Sequence, residues 1–340
     1  MTLQKAWYQS AKDAPWWLCV LAPLRLLFAI VSGLRRRMFR VGLLSSYQAA
    51  LPVVIVGNIS VGGNGKTPFV LGLAAFLAGK GIKSAVLSRG YGGEQKHFPY
   101  LVKADDSARI VGDEPALMCQ RLGVPVVLDP VRARGARFIK EHTDAQIILC
   151  DDGLQHYALK RDIELCVTDS RGLGNGMLLP QGPLRESKSR LNTVDWIIYN
   201  GADSKPQEVL LSSSTPLVNM HLRPACWINL SSGKKLAISD GIDAFAQAQD
   251  VTALAGIGSP KRFFDTLDTL GIKLSKTISF DDHHQFIADD IPSSDVVLMT
   301  EKDAVKCRAF AHEKCWYLQV DAILDDGFYE QLLKKLAIEN

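Results

Sequence analysis

No C-x-x-C pair and no H-x-x-x-H pair occurs in this sequence, which excludes the common zinc spacings. Seven cysteines are present, at 19, 119, 150, 166, 226, 307 and 315. Cys150 and Cys166 stand in apolar, strand-like runs, so they read as core thiols of a reducing compartment and not as a disulfide framework. Internal repeats and low-complexity tracts are missing too, which excludes solenoids and biased tails. Net charge is only +3 over 340 residues, so the chain as a whole is no polycation. A local absence tells more. Between Asp13 and Glu94 there is no carboxylate, while Arg25, Arg35, Arg36, Arg37, Arg40, Lys66, Lys80, Lys83 and Arg89 fall there. A basic N-terminal third points to an anionic partner: phospholipid headgroups, a phosphorylated substrate or nucleic acid. Apolar residues make up 47% and charged residues 22%, enough core for one large domain or two unequal ones.

What is present is organised around one stretch. Val53-Val-Ile-Val-Gly-Asn58 reads as a buried strand, and residues 69–78 read as a helix. Between them lies Ser60-Val61-Gly62-Gly63-Asn64-Gly65-Lys66-Thr67. Strand, glycine-rich turn, Lys-Thr and helix make a phosphate-binding loop. Its glycines let backbone N–H groups converge on phosphate oxygens, and the new helix turns its positive end toward them. Lys66 would reach the β- and γ-phosphates, and the Thr67 hydroxyl would face Mg²⁺. The usual pattern opens on glycine; here that place is Ser60.

Upstream, Trp16 to Leu34 is a long apolar run followed by Arg35-Arg36-Arg37 and Arg40. Arg25 inside the run and the missing A-x-A site oppose a signal peptide. Three readings stay open. A spanning helix fits by length, but Arg25 at its middle would cost about 2.5–3.5 kcal/mol and Pro23 would kink it. A buried core helix is the plain alternative. A helix lying in the membrane interface fits the pattern best, because Arg25, Ala29, Ser32 and Arg36 recur as a narrow polar or small stripe. Trp17, Val20, Leu21, Leu24, Leu27, Phe28 and Val31 occupy the rest. The arginine cluster puts the following domain on the cytoplasmic side.

Strand-like runs at 53–56, 84–87, 124–128, 146–150, 163–167 and 194–199 alternate with helical stretches such as 114–122 and 131–141. That is the signature of a parallel sheet covered on both faces, with ligands at the carboxyl ends of its strands. Several candidates fall there. Arg89 and Tyr91 lie in Ser88-Arg-Gly-Tyr-Gly-Gly93 and suit a substrate grip. Asp113, in Val111-Gly-Asp-Glu-Pro115, is either a helix N-cap or a base beside the γ-phosphate. Asp151 and Asp152 end the run 146–150; one of them would hold Mg²⁺, and the sequence does not say which. Arg185 and Glu186 close the segment 178–186 and suit a phosphate clamp and a further metal ligand. Arg132 and Arg134 follow the run 124–128 and, with Arg89, suit a grip on a substrate phosphate.

Residues 217–230 suggest a β-ribbon connector, after which a second α/β unit begins near Asp240. Its Thr252-Ala-Leu-Ala-Gly-Ile-Gly258 lacks the third glycine of a dinucleotide fingerprint. Asp282-His283-His284 suits a hydrogen-bonded dyad better than a metal site.

Taken in order, GNISVGGNGKTP, LSRGYGG, VGDEP, DDGLQH, LPQGPLRE, DHH and TEKD resemble the tetraacyldisaccharide 4′-kinase family over nearly the whole chain. Ser60 at the head of the loop is usual there. The resemblance implies transfer of the ATP γ-phosphoryl to the 4′-hydroxyl of a tetraacylated glucosamine disaccharide 1-phosphate, in lipid A biosynthesis. It implies ATP and Mg²⁺ as cofactors, Asp113 as catalytic base with His283 as its dyad partner, and Asp151, Asp152 and Glu186 at the metal with Thr67. It also implies an anionic glycolipid substrate, a phospholipid surface at the cytoplasmic face of the inner membrane, no nucleic acid and no obligate protein partner. The expected fold is a P-loop-type, doubly wound, mostly parallel sheet with a second, smaller α/β lobe and a membrane-associated N-terminal helix. The expected division is 1–46 for the membrane-interface segment, 47–216 for the kinase core, 217–235 for the ribbon and 236–340 for the smaller lobe. Asp113 and His283 then come from different lobes, and lobe closure would assemble the dyad. Two rivals fit less well. A partner-regulating ATPase switch would carry lysine where Val61 stands, and a GTPase would place the lysine of Thr300-Glu-Lys-Asp303 one position earlier.

Overall fold

Runs of β-branched and aliphatic residues become strands buried on both faces. In the computed structural model, which describes residues 3–9, 15–201, 206–211 and 213–337, these include Val53–Gly57, Ser84–Ser88, Ile147–Asp151, Ile163–Asp169 and Trp196–Asn200. The chain divides into two compact units. The first comprises residues 1–89, 129–221 and 323–340; the second comprises 90–128 and 222–322. The division is not linear in sequence. Residues 90–128, assigned above to the kinase core, pack with the C-terminal part.

In the first unit the strands lie in the order 84–88, 147–151, 53–57, 163–169, 196–200 and the start of Leu217–Asn229, all parallel. Parallel pairing brings every carboxyl end to one edge, so Ser88, Asn58, Asp151, Asp169 and Asn200 line up along it. Helix Lys66–Gly79 follows the central strand. It is apolar nearly all round and buries Phe69, Val70, Leu71, Leu73, Ala74 and Leu77, as a helix enclosed by its neighbours must.

The N-terminal segment also belongs to this unit. It forms a short helix, Leu3–Trp7, a 3-10 turn, Trp16–Leu21, and a helix, Ala22–Arg40. No residue of Ala22–Arg40 is buried, so it is not a core helix. Only together with the turn before it, as Trp16–Arg40, is the segment long and apolar enough to cross a membrane by length and composition. Its polar stripe rests on the unit: Arg25 Nη1 lies 3.0 Å from Met177 Sδ, and Arg36 Nη2 donates to Thr193 Oγ1 at 3.1 Å. Leu24, Leu27, Val31 and Leu34 stand more than half exposed. Trp17 and Leu21, expected outside, instead pack inward with Trp7, Leu18, Val61 and Leu179. The reason is the 3-10 turn, whose three residues per turn rotate them off the face that a 3.6-residue period assigns.

In the second unit, strands Lys276–Ser279, Val251–Ala255, Val296–Thr300 and Cys315–Leu324 pair in parallel in that order. Tyr100–Leu101 pairs antiparallel with Val126–Leu128, and the end of Leu217–Asn229 with Lys235–Leu236. Trp227, Phe245, Leu267 and Leu298 anchor its core. Helix Asp113–Leu122 packs on helix Glu301–Cys307, and this contact builds the second of the two clusters described next.

Candidate active site

The phosphate loop is braced from several sides. Ser60 is buried, and its hydroxyl accepts from Asn64 Nδ2 at 3.1 Å, a bond that glycine could not make. Val61 N–H donates to the Pro183 carbonyl at 2.9 Å, and the Val61 carbonyl accepts from the Tyr8 hydroxyl at 3.3 Å. Gly65 has φ +93, and a Cβ there would lie 2.3 Å from Asn200 Nδ2. Only glycine fits both constraints. Lys66 Nζ sits 3.6 Å from Asp152 Oδ1, and Thr67 is buried in the first turn of the following helix.

Asp152, with φ +48, is one of three non-glycine residues in left-handed backbone among the described residues; His283, with φ +61, is another. Such strain persists only where the surroundings over-determine it. Arg185 holds the Asp152 carboxylate with two bonds of 2.9 and 3.0 Å and also donates to Asn58 Oδ1. Burial would raise the pKa of Asp152, but Lys66 and Arg185 outweigh it and hold the carboxyl below the usual range. Asp151 is buried, with the Ser88 hydroxyl 3.5 Å from its Oδ2. Glu186 is committed elsewhere: Gln155 donates to it at 2.8 Å, the Tyr157 hydroxyl donates to its other oxygen, and Arg190 lies at 3.4 Å. The donor chemistry suits magnesium, since Thr67, Asp151 and Asp152 offer only hard oxygens. No group of three metal-binding side chains converges among the described residues.

The arginines divide. Arg89 is exposed at the end of its strand. Arg132 turns inward, buried, and donates to the carbonyls of Asp129 at 2.8 Å and Asp151 at 3.0 Å. Arg134 grips the Asp129 carboxylate with two bonds of 2.7 and 2.9 Å. Both tie the carboxyl ends of strands together, so neither is presented as the free phosphate grip expected from sequence. His156 stands nearby, its pKa pushed down to about 4 by burial and by Arg132 and Arg89.

The second unit holds the other cluster. The N-cap of helix Asp113–Leu122 is Gly112, at φ +93, and not Asp113. A Cβ on Gly112 would lie 2.7 Å from the Tyr91 carbonyl. Asp113 is the first residue of the helix, and its Oδ1 accepts from the Glu114 N–H at 3.0 Å. Its buried carboxylate accepts from His283 Nδ1 at 3.0 Å, and Lys302 Nζ lies 3.6 Å away. Lys302 also faces Glu114 and Asp282, each at 3.4 Å. Burial pushes the Asp113 pKa up, but the His283 hydrogen bond and the Lys302 charge overcome it and bring it to about 2. The same hydrogen bond raises His283 above its ordinary value, against burial and Lys302. Tyr91 is exposed and sets its ring edge-on to His283, centroids 5.6 Å apart. His284 points elsewhere, bonding Asp290 at 2.9 Å and stacking on Phe280. Asp113 and His283 lie in one compact unit, so the dyad is assembled within it and needs no lobe closure to form.

Residues 17–337 match the family description Tetraacyldisaccharide-1-P 4′-kinase. This chain belongs to that family. It is 51% identical over 316 residues to a tetraacyldisaccharide 4′-kinase of Pseudoalteromonas atlantica, covering 92% of this chain and 98% of that one. It is 43% identical over 338 residues to the enzyme of that name from Tolumonas auensis, covering 98% and 97%. The crystal structure of LpxK from Aquifex aeolicus in complex with ATP superposes with a TM-score of 0.80 at 30% identity, covering 94% of this chain and 98% of that one.

Two residues of this kinase escaped the sequence reading. Arg171 donates to the Gly63 carbonyl at 2.8 Å and to Asn64 Oδ1 at 2.9 Å while paired with Asp169, so it braces the phosphate loop. Its signal was its place just past a strand ending in aspartate. Lys302 lay inside TEKD, where only its position at a strand-to-helix junction marked it.

Proposed function

We infer that this chain transfers the γ-phosphoryl of ATP to the 4′-hydroxyl of a tetraacylated glucosamine disaccharide 1-phosphate. What carries the reading is the buried Asp113 carboxylate with His283 Nδ1 at 3.0 Å, in a chain of this kinase family. A sugar hydroxyl does not ionise in neutral water, so a carboxylate must take its proton as transfer proceeds. Asp113 is that base. His283 orients it and shares the proton, and Lys302 keeps the carboxylate charged beforehand. Lys66 and the backbone N–H groups of residues 60–67 neutralise phosphoryl oxygens. Thr67 and one of Asp151 and Asp152 would hold magnesium, which when bound adds positive charge at the β- and γ-phosphates. Glu186, through Gln155 and Tyr157, keeps the neighbouring loop in place. Arg89 and Tyr91 are the substrate contacts, and Arg132 and Arg134 hold Asp129, whose N–H donates to the Ser88 carbonyl just before Arg89.

The acyl chains of such a substrate leave a bilayer only at high cost, so the enzyme goes to the membrane. The helix Ala22–Arg40 lies in the interface at the cytoplasmic face of the inner membrane, apolar side in the lipid. Arginines near anionic lipid add about 1 kcal/mol each. Radiolabelled ATP with purified disaccharide 1-phosphate in detergent should yield a bis-phosphorylated lipid. Free phosphate with no lipid product would return the chain to the ATPase reading.

A further inference from the structure

Beside the last turn of helix Ala22–Arg40, the first unit has a cleft of about 380 Å³. Five cations line it, Arg36, Arg40, Lys160, Arg161 and Arg190, against one carboxylate, Glu164. None of its lining residues belongs to the phosphate loop or to the Asp113–His283 pair. Its floor is already built. Glu164 pairs with Arg161 at 2.7 Å and with Arg190. Arg161 further donates to the carbonyls of Leu154, His156 and Leu159. With Glu186 lying 3.4 Å from Arg190 as a second carboxylate, those two arginines are fixed and balanced.

The other three are not balanced. Arg36 donates to a neutral hydroxyl, that of Thr193. Arg40 and Lys160 are exposed, and no carboxylate pairs with any of the three among the described residues. Three uncompensated cations in one concave place favour an anion from outside. Next to them in sequence, Leu34, Val41 and Leu43 are 57%, 60% and 73% exposed. An occupant that satisfies both features is anionic at one end and apolar at the other. We propose that the cleft binds the phosphodiester headgroup of one anionic glycerophospholipid, whose acyl chains run along the exposed apolar face. The site rests on the membrane reading above and deepens it, replacing diffuse attraction to a charged surface with a defined lipid.

The test uses the full chain and vesicles of phosphatidylcholine, with or without phosphatidylglycerol. The wild type should bind both and favour the anionic ones. Arg40→Gln with Lys160→Gln should reduce the preference for anionic vesicles by more than about tenfold, whereas Arg35→Gln with Arg37→Gln, equal in charge but outside the cleft, should reduce it by no more than about threefold. Binding to neutral vesicles should be unchanged in both. Glycerophosphoglycerol should slow labelling of the Lys160 amine by an amine-reactive reagent, and inorganic phosphate at equal concentration should not. Equal losses from the two pairs would mean diffuse attraction only. Protection by inorganic phosphate would reduce the cleft to a simple anion site. Stronger protection by the disaccharide 1-phosphate than by phosphatidylglycerol would make it part of the substrate site. A wild type that binds no vesicle would overturn the membrane reading itself, a result distinct from the other three.

Discussion

Asp113 accepts from His283 at 3.0 Å, and that one bond sets the pH dependence of both groups. It lowers the aspartate to about 2 and raises the histidine above its ordinary value near 6.5. The bond therefore favours the carboxylate–imidazolium form of the pair up to a higher pH than a free histidine would allow. The carboxylate can take the substrate's proton in either form of the pair, but it is a weaker base facing an imidazolium than facing a neutral imidazole. The kcat should accordingly rise with pH through an apparent pKa above 6.5 that belongs to the pair. Asp113→Asn should still bind ATP and should lose kcat by roughly 10²–10⁴-fold. The His283 pKa, followed by ring-proton NMR, should fall in that variant, because its raising partner is gone while burial and Lys302 still lower it. An unshifted histidine, or near wild-type kcat, would remove Asp113 from the chemistry. In linkage terms the histidine's contribution to stability is full below pH 6.5 and is lost as pH rises through its folded pKa. The aspartate's is full above its unfolded pKa near 3.9 and is lost only as pH falls toward 2.

Elements differ in how openly the sequence declares them. The strand, loop and helix spanning 53–79 were legible because their signal is local: four β-branched residues, glycines at fixed places and a helical run. The parallel sheet was legible for the same reason, from alternation of strand and helix. The meeting of Asp113 with His283 was not, since 170 residues separate them and no period carries such a contact; only resemblance suggested it. Nor does any local rule say that Arg132 turns onto two backbone carbonyls while Arg89, also just past a strand, stays exposed. That choice depends on which strand ends lie side by side. The loop itself offers a sharp test. In Gly65→Ala the new methyl would have to displace Asn200 from 2.3 Å and hold φ +93, a backbone cost of about 1–3 kcal/mol. ATP affinity should fall at least tenfold by calorimetry, with Tm lowered by only a few degrees. Unaltered affinity would mean that the loop's left-handed turn does not shape the phosphate site.

For the molecule as a whole, the N-terminal segment couples two tasks that the sequence kept apart. Its outward face is apolar and exposed, while its inward face, through Trp7, Leu18 and Tyr8, packs on Val61 and Leu179 beside the phosphate loop. The two faces should therefore fail differently. Leu27→Asn with Val31→Asn changes only exposed positions, so KM for ATP should be unchanged with short-chain substrate dispersed in detergent. Activity on bilayer-embedded substrate should drop about tenfold, since each side chain withdrawn from lipid forfeits on the order of 1 kcal/mol. Deleting residues 1–40 should cost both. It strips the cover from Val61 and Leu179 and removes the Tyr8 hydroxyl from the Val61 carbonyl, so KM for ATP should rise a few-fold even in detergent, alongside the loss of bilayer activity. Trp7→Ala separates the two effects. It should raise KM for ATP as the deletion does and leave vesicle binding intact. If the deletion leaves KM for ATP untouched, the packing on Val61 gives the loop no support; if the Asn variant keeps full activity on bilayers, the exposed face is not the anchor.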